Sequence, residues 1–126
     1  MAISEITAAM LLKALDAASL RHQAISSNLA NANSVDYRPL RVNFEEQLGF
    51  ARLALSTRGG TLTAGDVASV RPRMEQEAVP KAGTAAVMID MEMVKLAQNT
   101  LQYQALTKGV THRSSLIQIA INEGRK

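Results

Sequence analysis

Apolar and small residues recur at alternating spacings of three and four along the first third of the chain. The repeat runs through Leu11, Leu15, Ala18, His22, Ile25, Leu29 and Ala32. This spacing places side chains on one face of an α-helix, as in a coiled coil. Ser4, Glu5 and Thr7 are residue types that favour a helix start. The pattern predicts a helix over residues 4–31, about 40 Å long at about 1.5 Å per residue.

The last third of the chain carries a wider apolar stripe. Its members are Met91, Met93, Val94, Leu96, Ala97, Leu101, Tyr103, Leu106, Val110, Leu116, Ile117, Ala120 and Ile121. A second helix is predicted to begin near Asp90 and to end near Asn122, before Gly124. The stripe is wider than contact with one helix requires, so this helix should have more than one partner. Gly109 lies inside it and predicts a kink or a close helix approach.

The middle of the chain holds all three prolines and most of the glycines, which break regular structure. One short helix is predicted there from apolar residues at helical spacing, namely Phe44, Leu48, Ala51 and Leu55. The Gly59–Gly60 pair should end it in a turn. Residues 61–63 and 66–71 alternate partially and contain β-branched side chains, so they predict a small β-hairpin or an ordered loop.

These patterns predict a mainly α protein that forms a single structural unit. Residues 1–34 would form the N-terminal helix, residues 35–86 an irregular middle with a short helix and a small hairpin, and residues 87–126 the C-terminal helix. The two long helices are expected to form a coiled-coil-like pair. Aromatic residues make up only 3% of the 126 residues, so the core must consist of aliphatic side chains, methionine and alanine.

Charged residues are sparse on both predicted long helices. Between residues 3 and 34 they are Glu5, Lys13, Asp16 and Arg21, and between residues 93 and 122 they are Lys95, Lys108 and Arg113. A solvent-facing coiled coil normally carries Glu and Lys at its flanking positions. Here those positions hold small or uncharged residues, which are desolvated at low cost when hydrogen-bonded. The helices are therefore expected to pack against other copies or homologous subunits.

The sequence predicts no catalytic, metal or cofactor site. The chain has no cysteine, which excludes disulfides and thiolate ligands. His22 has Ser19, Ser26 and Asp16 nearby, but side chains along one helix do not converge on a substrate. The basic residues are dispersed and the net charge is only +3, so nucleic-acid binding is not expected. The first apolar run is interrupted by Lys13, and neither a signal peptide nor membrane insertion is predicted.

Two segments carry a family resemblance. Residues 25–39 read I-S-S-N-L-A-N-A-N-S-V-D-Y-R-P, and residues 89–105 read I-D-M-E-M-V-K-L-A-Q-N-T-L-Q-Y-Q-A. The first resembles the N-terminal motif of bacterial flagellar rod and hook proteins. The second is similar to the C-terminal helix of the proximal-rod (FlgB-type) members of that family. Asp36 stands where the motif usually has glycine before its tyrosine, and residues 81–86 replace the usual D-G-N element.

Candidate subunit-contact residues follow from the N-terminal stripe and from the resemblance. They are Leu15, Ile25, Ser27, Asn28, Leu29, Ala30, Asn31, Tyr37, Glu92, Met93, Leu96, Ala97, Asn99, Leu101, Tyr103 and Gln104. Packing within one chain is compatible with the same residues. Phe44 and Leu48 also look like the export-gate element of early flagellar substrates, although both would pack a short amphipathic helix in any case.

The resemblance implies a structural subunit of the proximal rod in the flagellar basal body, with no enzymatic activity and no cofactor. Its implied partners are other rod proteins, the junction protein FliE, the MS ring and the flagellar type III export apparatus, which would export the chain without a cleaved signal peptide. Self-association is implied as well. The alternative is a cytoplasmic helical adaptor or export chaperone.

Overall fold

A computed structural model describes residues 2–81 and 83–125, and all side chains in those ranges except at residues 2–4, 54 and 58. The elements follow in the order α1 (Ala2–Ala30), β1 (Leu40–Asn43), α2 (Glu45–Arg58), α3 (Ala64–Ser69), β2 (Arg73–Gln76) and α4 (Ala85–Gly124). The chain is mainly helical with a long helix towards each end, as the sequence predicts.

The two long helices lie side by side and antiparallel. Asn28 of α1 bonds to Glu92 of α4, and Ala18 bonds to Asn99. Further along, Leu11 approaches Gly109. The contacting positions rise from 92 to 109 along α4 while they fall from 28 to 11 along α1, so the two helices run antiparallel. A Cβ at Gly109 would lie 3.5 Å from Leu11 Cδ2, so the two helices are in ordinary van der Waals contact at this position.

Helix α4 begins earlier than the predicted start at Asp90. Its N-cap is Thr84, whose side-chain oxygen accepts a hydrogen bond from the Val87 backbone N–H at 3.2 Å. Thr84 is followed by two alanines, which favour a helix, so the first turn forms before the apolar stripe begins. Helix α1 begins at Ala2, and the predicted role of the Ser4 side chain at its start lies outside the described residues.

A small body formed by α2, α3 and the two strands packs against α1. The short helix predicted in this region is confirmed as α2, which ends at Gly59 in the left-handed conformation with φ of 70°. This backbone angle favours glycine because it has no Cβ. Strands β1 and β2 pair antiparallel, with Leu40 opposite Gln76 and Asn43 opposite Arg73.

The predicted position of the β-structure is wrong. Residues 61–63 form no strand, and residues 64–69 form α3. Thr63 caps this helix, because its side chain accepts from the Asp66 backbone N–H at 3.1 Å while the Asp66 carboxylate accepts from the Thr63 backbone N–H at 2.9 Å. This reciprocal pair stabilises a helix start. The strands instead flank α2 and α3 and pair across the segment between them.

The core of the body is small and mostly aliphatic. Ala17 of α1, Phe44 and Val70 are buried together. The partly buried side chains packed against them are Ala14, Val42, Leu48 and Ala51. The core therefore joins α1 to the body through alanines, which allow the backbones to approach closely. Within the described residues, no helix is long and apolar enough to cross a membrane.

Candidate subunit interface

The Asn28 carboxamide joins α1, β1 and α4. Its side chain is only 1% exposed. Its Nδ2 donates to the Leu40 carbonyl at 3.0 Å and to Glu92 Oε2 at 3.1 Å. Its Oδ1 accepts from the Tyr37 hydroxyl and from the Leu40 backbone N–H, each at 2.8 Å. A carboxamide has two N–H donors and two acceptor lone pairs, so this network uses all of them.

The turn after α1 follows the chemistry expected of its asparagine-rich motif. Asn31 Nδ2 donates to the Ser27 carbonyl at 2.8 Å, and the same carbonyl accepts from the Asn31 backbone N–H at 3.0 Å. The Ser27 and Tyr37 hydroxyls lie 3.3 Å apart. Asp36 has φ of 57°, so this position adopts the left-handed backbone that favours glycine. Asp tolerates that region better than most residues.

Lys81, which lies far from α1 in the sequence, is hydrogen-bonded to the turn that follows α1. Its ammonium group donates to the Ala32 carbonyl just beyond α1, and its backbone N–H donates to the Tyr37 carbonyl at 2.9 Å. A cation near the C-terminal end of a helix is favourable because the exposed carbonyls carry partial negative charge. No local pattern around Lys81 indicates this role, since its partners lie more than forty positions earlier.

Glu92 is a buried carboxylate with both oxygens paired. The residue is 3% exposed, and Oε1 accepts from Lys95 Nζ at 3.0 Å while Oε2 accepts from Asn28. An unpaired carboxylate at this depth would be strongly unfavourable. Glu92 therefore requires Asn28 and Lys95 to lie where they do, and this requirement fixes the position of α4 relative to the turn.

Asn99 forms a second polar contact between the long helices. Its Nδ2 donates to the Ala18 carbonyl at 2.8 Å, and this carbonyl determines which end of the amide is the donor. Its Oδ1 is buried and has no hydrogen-bond partner in the described part of the chain. Helices α1 and α4 are thus joined by two buried polar contacts, one near the turn and one further along.

The predicted subunit-contact residues divide into three groups by burial. Those buried within this chain are Ile25, Asn28, Glu92 and Asn99. The half-buried ones are Leu15, Ser27, Leu29, Asn31, Tyr37 and Leu96. The exposed ones are Ala30, Met93, Ala97, Leu101, Tyr103 and Gln104. The structure brings the first group together inside one chain and leaves the third group, mostly on α4, on the surface.

Phe44 and Leu48 belong to the core. Phe44 is 5% exposed and lies beside Ala17 and Val70, and Leu48 is half-buried against them. Phe44 also occupies the N-cap position of α2. Their spacing therefore serves intrachain packing, whatever further role they have.

Ion pairs surround β1 on its exposed side. Arg41 contacts Glu46 at 3.0 Å and Glu75 at 3.5 Å, and Arg21 of α1 contacts Glu45 of α2. The hydrogen bond to Glu46 and its negative charge raise the pKa of the Arg41 guanidinium above its ordinary value. Among the described residues, these pairs neutralise Arg41 in the middle region and Arg21 on α1.

No cluster of chemistry-bearing side chains forms within the described residues. His22 is exposed and lines an open groove with Ser19, Tyr103 and Gln104. The described part of the chain contains no group of three or more His, Cys, Asp or Glu residues placed to hold a metal ion.

No protein-family model, curated protein or solved structure significantly matches this chain. Its functional interpretation depends on the residues and on the geometry described above.

Proposed function

We propose that this chain is a structural subunit of the bacterial flagellar rod, of the proximal-rod type. In this proposal α1 and α4 form a coiled-coil-like pair that stacks with those of neighbouring subunits into the axial shaft. The shaft transmits torque and forms part of the export channel. The partners are other rod proteins, the junction protein FliE and the MS ring, and the chain reaches them through the flagellar type III export apparatus without a cleaved signal.

The observation that carries the proposal is an excess of surface. The folded chain exposes 8697 Å². A compact monomer of 13.6 kDa is expected to expose about 6,600 Å², so this chain exposes about 2,100 Å² more. A stable protein contact covers about 800 Å² on each partner. The excess is therefore enough for two contacts, as a subunit inside an assembly requires.

The chemistry of the exposed surface supports the same proposal. Large hydrophobic side chains on α4 remain exposed along the whole helix. They include Val94 at 58%, Leu101 at 68%, Leu116 at 54%, Ile119 at 53% and Ile121 at 57% exposed. Extensive exposed apolar surface is typical of protein interaction sites. Few charges interrupt it, because α4 carries only three basic residues between positions 93 and 122.

The two groups of motif residues take different roles in this proposal. Asn28, Glu92 and Asn99 set the relative position of the long helices inside each subunit. Leu101, Ala97 and the other exposed residues then meet neighbouring subunits. A rod requires both, since the contacts between copies repeat only when every subunit presents its helices at the same angle.

Replacement of Leu101 by aspartate tests the proposal. In cells that lack their own copy, the Leu101→Asp variant should be exported but should fail to support motility, because it places a charge in the subunit contact. The control is Thr61→Asp, which adds the same charge at an exposed loop position. Normal swimming by Leu101→Asp cells would show that this surface is not the contact.

Cell fractionation separates the rod subunit from the alternative of a cytoplasmic helical adaptor or export chaperone. We expect the chain in purified basal bodies. Recovery only in the cytosol would support the adaptor and contradict the rod proposal.

We also propose that Phe44 and Leu48 act as the export-gate element. Phe44→Leu keeps an apolar side chain in the core but removes the aromatic ring, so export should fall although circular dichroism still shows a folded chain, with stability lowered by about 1 kcal/mol. Unchanged export of this variant would assign Phe44 to packing alone.

A further inference from the structure

Helix α4 has a second apolar stripe on the face turned away from α1. Val87, Val94 and Leu101 lie seven residues apart, and Ala97 lies between the last two. Val94 and Leu101 each come two positions after a buried residue, Glu92 and Asn99 respectively. Two positions rotate a helix by about 200°, so this stripe lies opposite the α1 contact. We call these four residues the outer stripe.

Among the residues that the structure describes, no element covers the outer stripe. Val87 is 49%, Val94 is 58% and Leu101 is 68% exposed, and Ala97 is exposed as well. Apolar residues at sevenfold spacing, with a small residue between them, are the pattern by which one helix receives another. The pattern therefore indicates a helical partner.

Two charged residues of opposite sign lie near the two ends of the outer stripe. Asp90 and Lys108 continue the same three-and-four spacing and are both exposed. Neither has an ion-pair partner among the residues that the structure describes. They are 18 residues apart on one helix, about 27 Å, so they cannot pair with each other.

We propose that the outer stripe binds the outer stripe of a second copy of this chain, with the two α4 helices antiparallel about a two-fold axis near position 99. This arrangement places Asp90 of each copy beside Lys108 of the other, so two ion pairs form. It also places the small Ala97 against the large Leu101, which fills the space between the helices. A parallel pair in register would instead place like charges together.

The occupant is a second copy because the stripe is complementary to itself in charge, with Asp90 beside Lys108, and in size, with Ala97 beside Leu101, while the same axis places Val94 beside the uncharged Gln104. Such a contact uses the same patch on both partners. The chain as a whole exposes about 2,100 Å² more than a compact monomer of its mass, and a stable contact needs about 800 Å² on each partner. The inference goes beyond the rod proposal, since a two-fold pair closes on itself and describes the free subunit, whereas a rod is an open polymer.

Sedimentation of the full chain tests the pair. The unaltered chain should sediment as a concentration-dependent dimer. Asp90→Lys and Lys108→Asp should each weaken dimerisation about tenfold, because each replaces two attractions by two repulsions. The double variant Asp90→Lys/Lys108→Asp should restore the original affinity. Circular dichroism should show equal helix content in all four proteins, since both positions are exposed.

A cysteine experiment tests the direction of the helices. The chain has no cysteine of its own, so single substitutions give unambiguous cross-links. A mixture of Asp90→Cys and Lys108→Cys chains should form a disulfide between unlike chains, and Asp90→Cys alone should form none. A monomeric unaltered chain, or single charge reversals that leave the dimer unchanged, would overturn the proposal. A disulfide between two Asp90→Cys chains would overturn it as well, and none of these outcomes depends on flagellar function.

Discussion

A few amide side chains define how the long helices meet. The family resemblance singled out Asn28 and Asn99 as candidate subunit contacts, whereas both are buried inside this chain. It could not identify their partners, since Leu40, Glu92 and Ala18 are brought to them only by the folded chain. Residue identity was therefore predictable, and residue contacts were not.

Removal of the Asn28 amide should destabilise the chain. In Asn28→Ala, the buried Glu92 carboxylate and the Leu40 backbone groups lose partners, and the free energy of unfolding should fall by about 3 kcal/mol. Urea unfolding measures the change. The matched control is Asn33→Ala, at an exposed position just past α1. Equal losses in the two variants would show that the Asn28 network contributes no stability.

Gly109→Ala should stabilise the chain. A Cβ at this position would lie 3.5 Å from Leu11 Cδ2, an ordinary van der Waals contact. Alanine favours a helix over glycine, so the gain should be about 0.5–1 kcal/mol by thermal or urea unfolding.

Gly59→Ala provides the contrast to Gly109→Ala. Gly59 has φ of 70°, and a left-handed backbone costs alanine about 1–2 kcal/mol.

A destabilised Gly109→Ala protein would mean that α1 and α4 approach more closely at position 109 than the structure shows.

At the scale of elements, helices were more predictable than strands. Periodic apolar residues indicated α1, α2 and α4, but β1 and β2 have only four residues each and carry charges within them. They form because the chain brings them together from opposite sides of α2 and α3. The pair Thr63 and Asp66 was a readable signal for α3, since Thr followed three residues later by an acidic residue is typical of a helix start.

Helix α4 should differ in stability along its length. Its buried residues within the described chain are Met88, Glu92 and Asn99, all in its first half. Backbone hydrogen bonds open most readily where few apolar contacts hold a helix. Amide hydrogen exchange should therefore be faster over residues 111–122 than over residues 88–99. Equal protection of both segments in the monomer would contradict this expectation.

At the scale of the whole molecule, the sequence correctly indicated a chain with helices at both ends and a separate middle. It could not show which face of each helix turns inwards, because the apolar stripe of α4 is broad. Met88 is buried while Met91 and Met93, close by on the same helix, are exposed. Which of these methionines is buried depends on where α1 packs against α4. The position of α1 in turn depends on contacts between residues distant in sequence.

Small-angle scattering should show an extended monomer. The 40 residues of α4 correspond to a length of about 60 Å. A compact chain of 126 residues has a radius of gyration of about 14 Å. The Leu101→Asp variant, which removes the outer-stripe contact, should therefore give a radius clearly above that value. A value near 14 Å would mean that the end of α4 folds back on the body.

The middle body leaves and rejoins the long helices at one place. The Glu77 backbone N–H donates to the Pro39 carbonyl at 2.8 Å, and Lys81 ties the same region to Ala32 and Tyr37. The segment between these residues therefore begins and ends at the same point beside the pair of long helices. A longer or shorter segment between Pro39 and Glu77 would therefore leave the two long helices in the same relative position.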